Sequence, residues 1–530
     1  MTQTMTHPTT PDWVKDAVFY QIFPDRFAQS ARVDKPSNLE PWDAPPTRFG
    51  FKGGDLLGVA ERLGYLQELG ITAIYFNPIF QSAANHRYHT YDYYRVDPIL
   101  GGDAAFRELL ERAHERGIRI VLDGVFNHAS RGFYQFHHTL ENGAASPYLD
   151  WFYFDQERLR AGKPLNAHPE TEPKLEEIEF PCSGQRSLKL YGYRAWADLP
   201  ALPKFNTETE AVRRFIFGVA RHWIEFGVDG WRLDVPAEID DDRFWREFRR
   251  VVKDANPEAY IVGEIWGDAT RWLQGDQFDA VMNYVFDRAC LGFFGGENLD
   301  VAQRPGGYEL RRLSATRFAE AVDDMLALYD WEVTLAQLNL LDSHDMPRFL
   351  TMVQGDEDAL KLATLFQMTF PGAPCIYYGD EIGMAGQHDP DCRRAFPWDE
   401  SRWDHDLLDW FRRAIRLRHA HPALRRGRYL RLHTDDAHNV YAFARQSDEE
   451  TLLVVLNNGP AAYDLDVPTG ALFPDGATLR DLWGSGAAHV AAGRVAGLRL
   501  PPRSGAVLTM ELEIYTGGAV KPVRSREVEA

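Results

Sequence analysis

Between residues 55 and 235 one arrangement repeats: an amphipathic stretch of helical spacing runs into a glycine, and an apolar run follows at once. Leu69-Gly70-Ile71 leads into Ala73-Ile74-Tyr75-Phe76, Arg116-Gly117-Ile118 into Ile120-Val121-Leu122, and Phe226-Gly227-Val228 into Gly230-Trp231-Arg232-Leu233. Glycine at such a junction fits the left-handed turn that closes a helix. Near-continuous apolar strands are those covered on both faces. Thr207 and Glu210 have capping-box spacing. Behind them Val212, Phe215, Ile216, Val219, Trp223 and Ile224 form one apolar stripe. Asp103 is placed to cap a helix carrying Phe106, Leu109, Leu110 and Ala113. Eight candidate strands emerge, at 18–22, 73–77, 118–123, 229–233, 260–263, 278–282, 336–341 and 374–378. Strands alternating with helices imply a parallel sheet, and eight of them close a (β/α)8 TIM barrel.

Two stretches break the alternation. The gap between the third strand and the helix at Thr207 far exceeds the ~2–6 residues of a βα loop. It holds Pro147, Pro164, Pro169, Pro173, Pro181 and Gly184, and reads as an inserted subdomain. Beyond about residue 427, Val440 to Ala444, Thr451 to Leu456 and Gly505 to Met510 read as antiparallel strands between polar turns. The expected layout is a barrel of residues 1–126 and 207–426, an inserted subdomain over 127–206, a C-terminal antiparallel β-sandwich over 427–515 and a loose tail over 516–530.

Charge narrows the partners. The chain has 530 residues, with 58 Lys and Arg against 78 Asp and Glu, a net charge of −20. Such a surface repels phosphate backbones and anionic lipid, so neither nucleic acid nor membrane is expected as a partner. Neutral sugars meet no such barrier, and the 13% of aromatic residues offers flat faces to their C–H surfaces, although large cores also collect aromatics. No apolar run reaches the ~18 residues of a membrane span. Met1 to Thr10 lacks a basic stretch followed by an apolar one, so no secretory leader is expected. Cys182, Cys290, Cys375 and Cys392 are scattered without metal-ligand spacing, which reads as free thiols in a reducing, cytoplasmic compartment.

In a barrel of this kind the active site lies at the C-terminal ends of the strands. The third strand ends in Asp123, followed by Asn127 and His128; the fourth carries Arg232 and ends in Asp234; the fifth ends in Glu264. Asp342, His344 and Asp345 follow the seventh, and Gly379-Asp380-Glu381 the eighth. Taken singly, a strand-end Asp is better explained as a cap or turn residue, and Asp240-Asp241-Asp242 reads as a solvated helix start. Jointly they fit glycoside hydrolysis. That reaction needs one carboxylic acid to protonate the leaving oxygen and a second carboxylate across the ring to attack, or to activate water. An arginine beside the attacking carboxylate keeps it ionised.

These residues resemble the α-amylase superfamily of glycoside hydrolases, from about Val18 to Asp399. Asp123-Gly-Val-Phe-Asn-His128, Gly230-Trp-Arg-Leu-Asp-Val235, Val262-Gly-Glu-Ile-Trp266 and Leu341-Asp-Ser-His-Asp345 are similar to its four catalytic segments, in the same order. The resemblance implies Asp234 as nucleophile, Glu264 as general acid/base and Asp345 as transition-state stabiliser. It implies that Arg232 orients Asp234, that His128 and His344 bond hydroxyls of the cleaved sugar, that Tyr88 stacks under it and that Asp123 supports the site. Leu202-Pro-Lys-Phe-Asn206, Gln277 to Tyr284 and Cys375 to Met384 look like the neopullulanase and cyclomaltodextrinase group. In that group Asp389 and Arg393 would reach outer donor subsites and Trp266 the acceptor side.

Such enzymes are retaining and open α-1,4 bonds of maltooligosaccharides, pullulan and cyclodextrins; some cleave α-1,6 bonds or transfer glycosyl units. The implied partner is therefore an α-glucan oligosaccharide. The competing readings are a transglycosylase or isomerase on the same scaffold and a non-catalytic glucan-binding protein. No cofactor is implied for the chemistry. The chain departs from the group in three respects. The barrel pattern begins by about residue 17, where members carry a β-rich N-terminal domain used in dimerisation, so the oligomeric state stays open. The calcium loop usual after the first strand reads Phe27-Ala-Gln-Ser-Ala-Arg-Val-Asp34, with few oxygen ligands, so structural calcium there is expected to be lost although Asp55 remains; Asn127 is a candidate for another such site. The usual Lys-Tyr-Asp-Thr reads Arg87-Tyr-His-Thr90, which puts His89 beside the cleaved sugar.

Overall fold

A computed structural model describes residues 8–173 and 184–510. Eight parallel strands form its centre: β1 (Phe19–Ile22), β2 (Ala73–Phe76), β3 (Arg119–Gly124), β4 (Gly230–Leu233), β5 (Tyr260–Gly263), β6 (Ala280–Val281), β7 (Leu338–Leu340) and β8 (Ala373–Tyr377). They pair in the order β6-β5-β4-β3-β2-β1-β8-β7, and a parallel bridge between Met282 and Leu338 closes the ring. All eight lie where the apolar runs stand. Their residues are almost entirely buried because side chains on one face fill the barrel and those on the other pack under the outer helices.

The helix Glu210–Phe226 buries Val212, Ile216, Val219, Trp223 and Ile224, and Gly227 ends it at φ +119°. Gly70 closes its own helix in the same way at φ +97°. Two expected caps differ. Thr209, not Thr207, holds the N-cap position of Glu210–Phe226, and its hydroxyl donates to the Asp150 carbonyl (2.6 Å) instead of capping the helix. Asp103 lies inside the helix Gly102–His114, whose N-cap is Gly101; its carboxylate instead accepts from the Val96 amide (2.8 Å) and Arg95 (2.7 Å). Asp241 does cap the helix Asp242–Ala255.

The described part of the segment between β3 and Glu210 folds over the barrel mouth around Phe133, Phe136, Phe152, Tyr193 and Phe205. Antiparallel bridges His128–Lys204 and Phe152–Phe205 lock its two ends together. Pro181 and Cys182 lie outside the described residues, as does the polar tail. Cys290, Cys375 and Cys392 are buried free thiols. No described helix is long and apolar enough to cross a membrane.

The C-terminal strands are β9 (Arg428–Asp435), β10 (Val440–Gln446), β11 (Thr451–Asn457), β12 (Tyr463–Pro468), β13 (Thr478–Asp481), β14 (Ala487–Ala491), β15 (Arg494–Leu500) and β16 (Ser504–Met510). They form one antiparallel sheet in the order β9-β10-β11-β16-β13-β14-β15-β12. The sheet rolls over its own core, with Val440, Ala442, Leu453 and Val455 meeting Leu465, Val467 and Val495. Alternation along β10 sends Tyr441 and Phe443 the other way, onto the barrel helices at Phe318 and Phe366.

Two buried arginines fasten this joint without any carboxylate. Arg445 donates to the carbonyls of Leu424 (2.7 Å), Thr369 (2.6 Å) and Gly427 (2.9 Å). Arg418 donates to those of Met368, Phe370, Leu424 and Gly372. They gather the loose carbonyls at the end of the helix Glu357–Thr369, which carry negative partial charge. Arg445→Leu leaves buried carbonyls without a donor and should cost about 3 kcal/mol or more. The expected outcome is a lower thermal unfolding midpoint with unchanged substrate affinity in the surviving folded protein, followed by differential scanning calorimetry.

Candidate active site

The C-terminal ends of β3, β4 and β5 bring three acidic side chains to one guanidinium. Arg232, on β4, is fully buried. Its Nη1 donates to Asp123 Oδ1 (2.9 Å) and to Asp234 Oδ1 (2.8 Å), and its Nη2 lies 2.9 Å from Glu264 Oε2. Glu264 also accepts the Val235 amide on Oε2 (3.0 Å) and Trp266 Nε1 on Oε1 (3.1 Å). Val235 reaches that position with φ +37°, a left-handed conformation that costs a non-glycine residue roughly 1–2 kcal/mol. Asp234 Oδ2 has no hydrogen-bond partner among the described residues, so one carboxylate oxygen stays open to the cleft.

Across the mouth, β7 delivers His344 and Asp345. Gln21 Nε2 donates to His344 Nδ1 (2.8 Å), which leaves the ring proton on Nε2, 2.6 Å from Tyr88 Oη and 3.1 Å from Asp345 Oδ2. Tyr88 in turn donates to Asp123 Oδ2 (2.8 Å) and lies parallel to the His344 ring at 5.6 Å. Arg393 holds Asp345 Oδ1 (3.2 Å), Asp389 (3.1 Å) and the His344 carbonyl (2.8 Å). His128 stacks on Trp196 at 5.4 Å, and its Nε2 is buried with no hydrogen bond. Trp266 stacks on Tyr284 at 3.6 Å.

Burial dominates the electrostatics. It pushes Asp234 well above the usual carboxylate range against the pull of Arg232, with Glu264, Asp123 and Asp345 pushing the same way. It raises Glu264 and Asp345, which Arg232 and Arg393 respectively draw back down. Asp123 is pushed up to about 6 by burial, with Arg232, Tyr88 and Tyr75 opposing. Four carboxyl groups thus share two guanidinium charges in a site of low dielectric. At an effective dielectric near 20, two unit charges 4 Å apart interact by about 4 kcal/mol, so these groups cannot all ionise independently and the set retains a proton into the neutral range. Burial also depresses His344, takes His128 down to about 3 and His89 to about 4, so all three rings are neutral donors and acceptors near neutrality.

Ten of the eleven expected site residues are joined in one network of contacts around Arg232, Tyr88 and Arg393, whereas His128 stands apart from it against Trp196. Asp342, Asp380 and Glu381, which also follow strands, serve elsewhere. Asp342 Oδ2 takes the Phe349 amide, Asp380 pairs with Arg348 (2.8 Å), and Glu381 bonds Tyr20 and Tyr65. Sequence reasoning missed Gln21, Tyr75 and Asn77. Gln21 carried a signal, being the one amide inside the apolar run of β1.

In the loop after β1 the acid that remains of the expected calcium site, Asp55, is already fully engaged. Asp55 accepts the Gly58 amide on Oδ1 (2.7 Å) and, on Oδ2, the Ser30 amide (2.8 Å) and Lys35 Nζ (2.9 Å). Lys35 also donates to the Ile99 carbonyl (2.9 Å), so an ammonium already neutralises the carboxylate. Asn127 offers one unpaired oxygen, Oδ1. No cluster of three or more His, Cys, Asp or Glu able to hold a metal exists among the described residues.

The pattern described as the alpha amylase catalytic domain matches residues 21–426, and that of the neopullulanase-like C-terminal domain matches residues 429–509. Neopullulanase 2 of Thermoactinomyces vulgaris is 46% identical over 454 residues, which are 85% of this chain and 70% of that protein. A cyclomaltodextrinase of Bacillus sp is 44% identical over 87% of this chain and 76% of its own length. The crystal structure of a debranching enzyme from Nostoc punctiforme superimposes with a TM-score of 0.83 at 45% identity, covering 95% of this chain and 100% of that one.

The charge network makes a pH prediction. Asp123 raises Asp234 through its negative charge. Asp123→Asn removes that charge, lowers the Asp234 pKa and should move the acid limb of the kcat/KM profile to lower pH, alongside a fall in the plateau. An acid limb that stays in place would show that Asp123 is uncharged in the working enzyme.

Proposed function

The chain belongs to the α-amylase family of glycoside hydrolases, in its neopullulanase and cyclomaltodextrinase group, and on that premise we propose that it cleaves α-1,4 bonds of maltooligosaccharides, pullulan or cyclodextrins with retention. The observation that carries this reading is the bridging guanidinium. Arg232 touches both Asp234 and Glu264, which keeps the two carboxyls within one guanidinium's span. A retaining pair needs a separation of about 5–5.5 Å, whereas an inverting pair needs room for a water between them.

In the first step Glu264 protonates the glycosidic oxygen while Asp234 Oδ2 attacks C1, and the bond between C1 and that oxygen breaks. The leaving chain departs on the Trp266 side. In the second step Glu264, now a carboxylate, takes a proton from water, whose oxygen attacks C1 and releases Asp234. Arg232 holds Asp234 Oδ1 and so leaves Oδ2 directed at the substrate. Asp345 supports the developing positive charge of the sugar, and the buried His344, bonded to Tyr88 and Asp345, holds both in place beside it. Trp266, stacked on Tyr284 and bonded through its indole N–H to Glu264 Oε1, flanks the acid on the acceptor side.

The free, buried thiols support a reducing, cytoplasmic home. Lys35 supports a loop stabilised by an ammonium in place of calcium.

Glu264→Gln should lower kcat on maltotriose by about 10²–10⁴-fold while binding by calorimetry is retained; undiminished turnover would reject the assignment. Chelation with EDTA should leave the unfolding midpoint unchanged. Lys35→Ala should lower that midpoint, by stranding the buried Asp55 carboxylate.

A further inference from the structure

Phe49 is the most exposed large apolar side chain among the described residues, at 82% of its free area. A lone exposed aromatic is ordinary on a protein surface, but the backbone that presents this one is held from two sides. Asn85, itself buried, donates through Nδ2 to the carbonyls of both neighbours of Phe49, Arg48 (3.1 Å) and Gly50 (2.8 Å). The buried Arg26 reaches the same Gly50 carbonyl through Nη2 (2.9 Å) and donates through Nη1 to the Arg393 carbonyl (3.3 Å). Thr47 Oγ1 takes the Gly50 amide (3.1 Å). The ring is therefore exposed on a rigid mount.

Both tethers come from the catalytic cleft. Asn85 stands three residues before Tyr88, at most about 10 Å along the chain, and Tyr88 touches Asp123 and His344. Arg393 grips Asp345 and Asp389. Strand order gives the side of the cleft. Phe49 lies on the loop after β1, and β1 stands across the closed ring from β5, which bears Glu264 and leads to Trp266. Glu264 protonates the leaving oxygen, so the departing part of the substrate lies on the β5 side. The opposite rim meets the part that stays on Asp234.

We infer that Phe49 is a stacking platform for a glucosyl unit on the non-reducing side of the cleaved bond, beyond the ring held at Tyr88. An aromatic face takes the C–H surface of a pyranose. The Arg48 guanidinium, 5.6 Å over the Phe49 ring, supplies donors to the sugar's hydroxyl rim. The role sets a preference for longer chains and rests on the hydrolase reading above.

The test is chain-length dependence. Phe49→Ala and Phe49→Trp are assayed with maltotriose and maltohexaose beside the wild type, with sedimentation velocity on each protein. Phe49→Ala should lower kcat/KM for maltohexaose about three- to tenfold, carried in KM, and leave maltotriose within twofold; Phe49→Trp should restore the long substrate. Equal effects on the two lengths, or none on either, overturn the inference while leaving the hydrolase reading intact. A dimer in the wild type that Phe49→Ala dissociates would make a second copy of the chain the occupant and overturn it too. A wild type inactive on both sugars would end the hydrolase reading, and the role of Phe49 with it.

Discussion

One buried positive charge organises the catalytic end of this barrel. Arg232 has no access to water, and an arginine taken out of water without compensation is prohibitively costly. Its partners are the carboxylates at the ends of three successive strands, β3, β4 and β5. Removing Asp123 or Asp234 leaves the guanidinium short of an acceptor, removing Glu264 takes away a countercharge, and removing the guanidinium leaves buried acids facing one another. The site is thus a mutual solution to a solvation problem, and the strands supply its spacing. Register between β3 and β4 sets Asp123 opposite Arg232, and register between β4 and β5 sets Arg232 opposite Val262, two positions short of Glu264.

The barrel was legible because its signal is redundant. Apolar runs such as Tyr260–Gly263 are bounded by polar residues on both sides, and glycines such as Gly227 mark where helices stop. The convergence of Asp123, Asp234 and Glu264 was legible for a related reason, since several acids directly behind buried strands need a shared partner, here Arg232. Helix starts read less well. Thr207 and Asp103 each satisfy a local spacing rule, but the first helix starts two residues later than that rule places it, behind Thr209, and the Asp103 carboxylate is claimed by the Val96 amide and Arg95.

What the chain order hides is convergence over long separations. Gln21 orients His344 across 323 positions, and Arg445 meets the end of a helix 76 positions earlier. Neither residue type nor neighbours announce such pairings. The same holds for Asp342, Asp380 and Glu381, which sit at strand ends like the reactive acids yet are absorbed into bonds with Arg348, Tyr20 and Tyr65. Position at a strand end nominates a residue; only its partners tell a working acid from a buttress.

The left-handed turn at Val235 has a mechanical corollary. The peptide nitrogen that grips Glu264 is covalently joined to Asp234, so the two acids are coupled through a single rigid amide plane. A shift of that peptide would move the donor to one acid and the backbone that carries the other together.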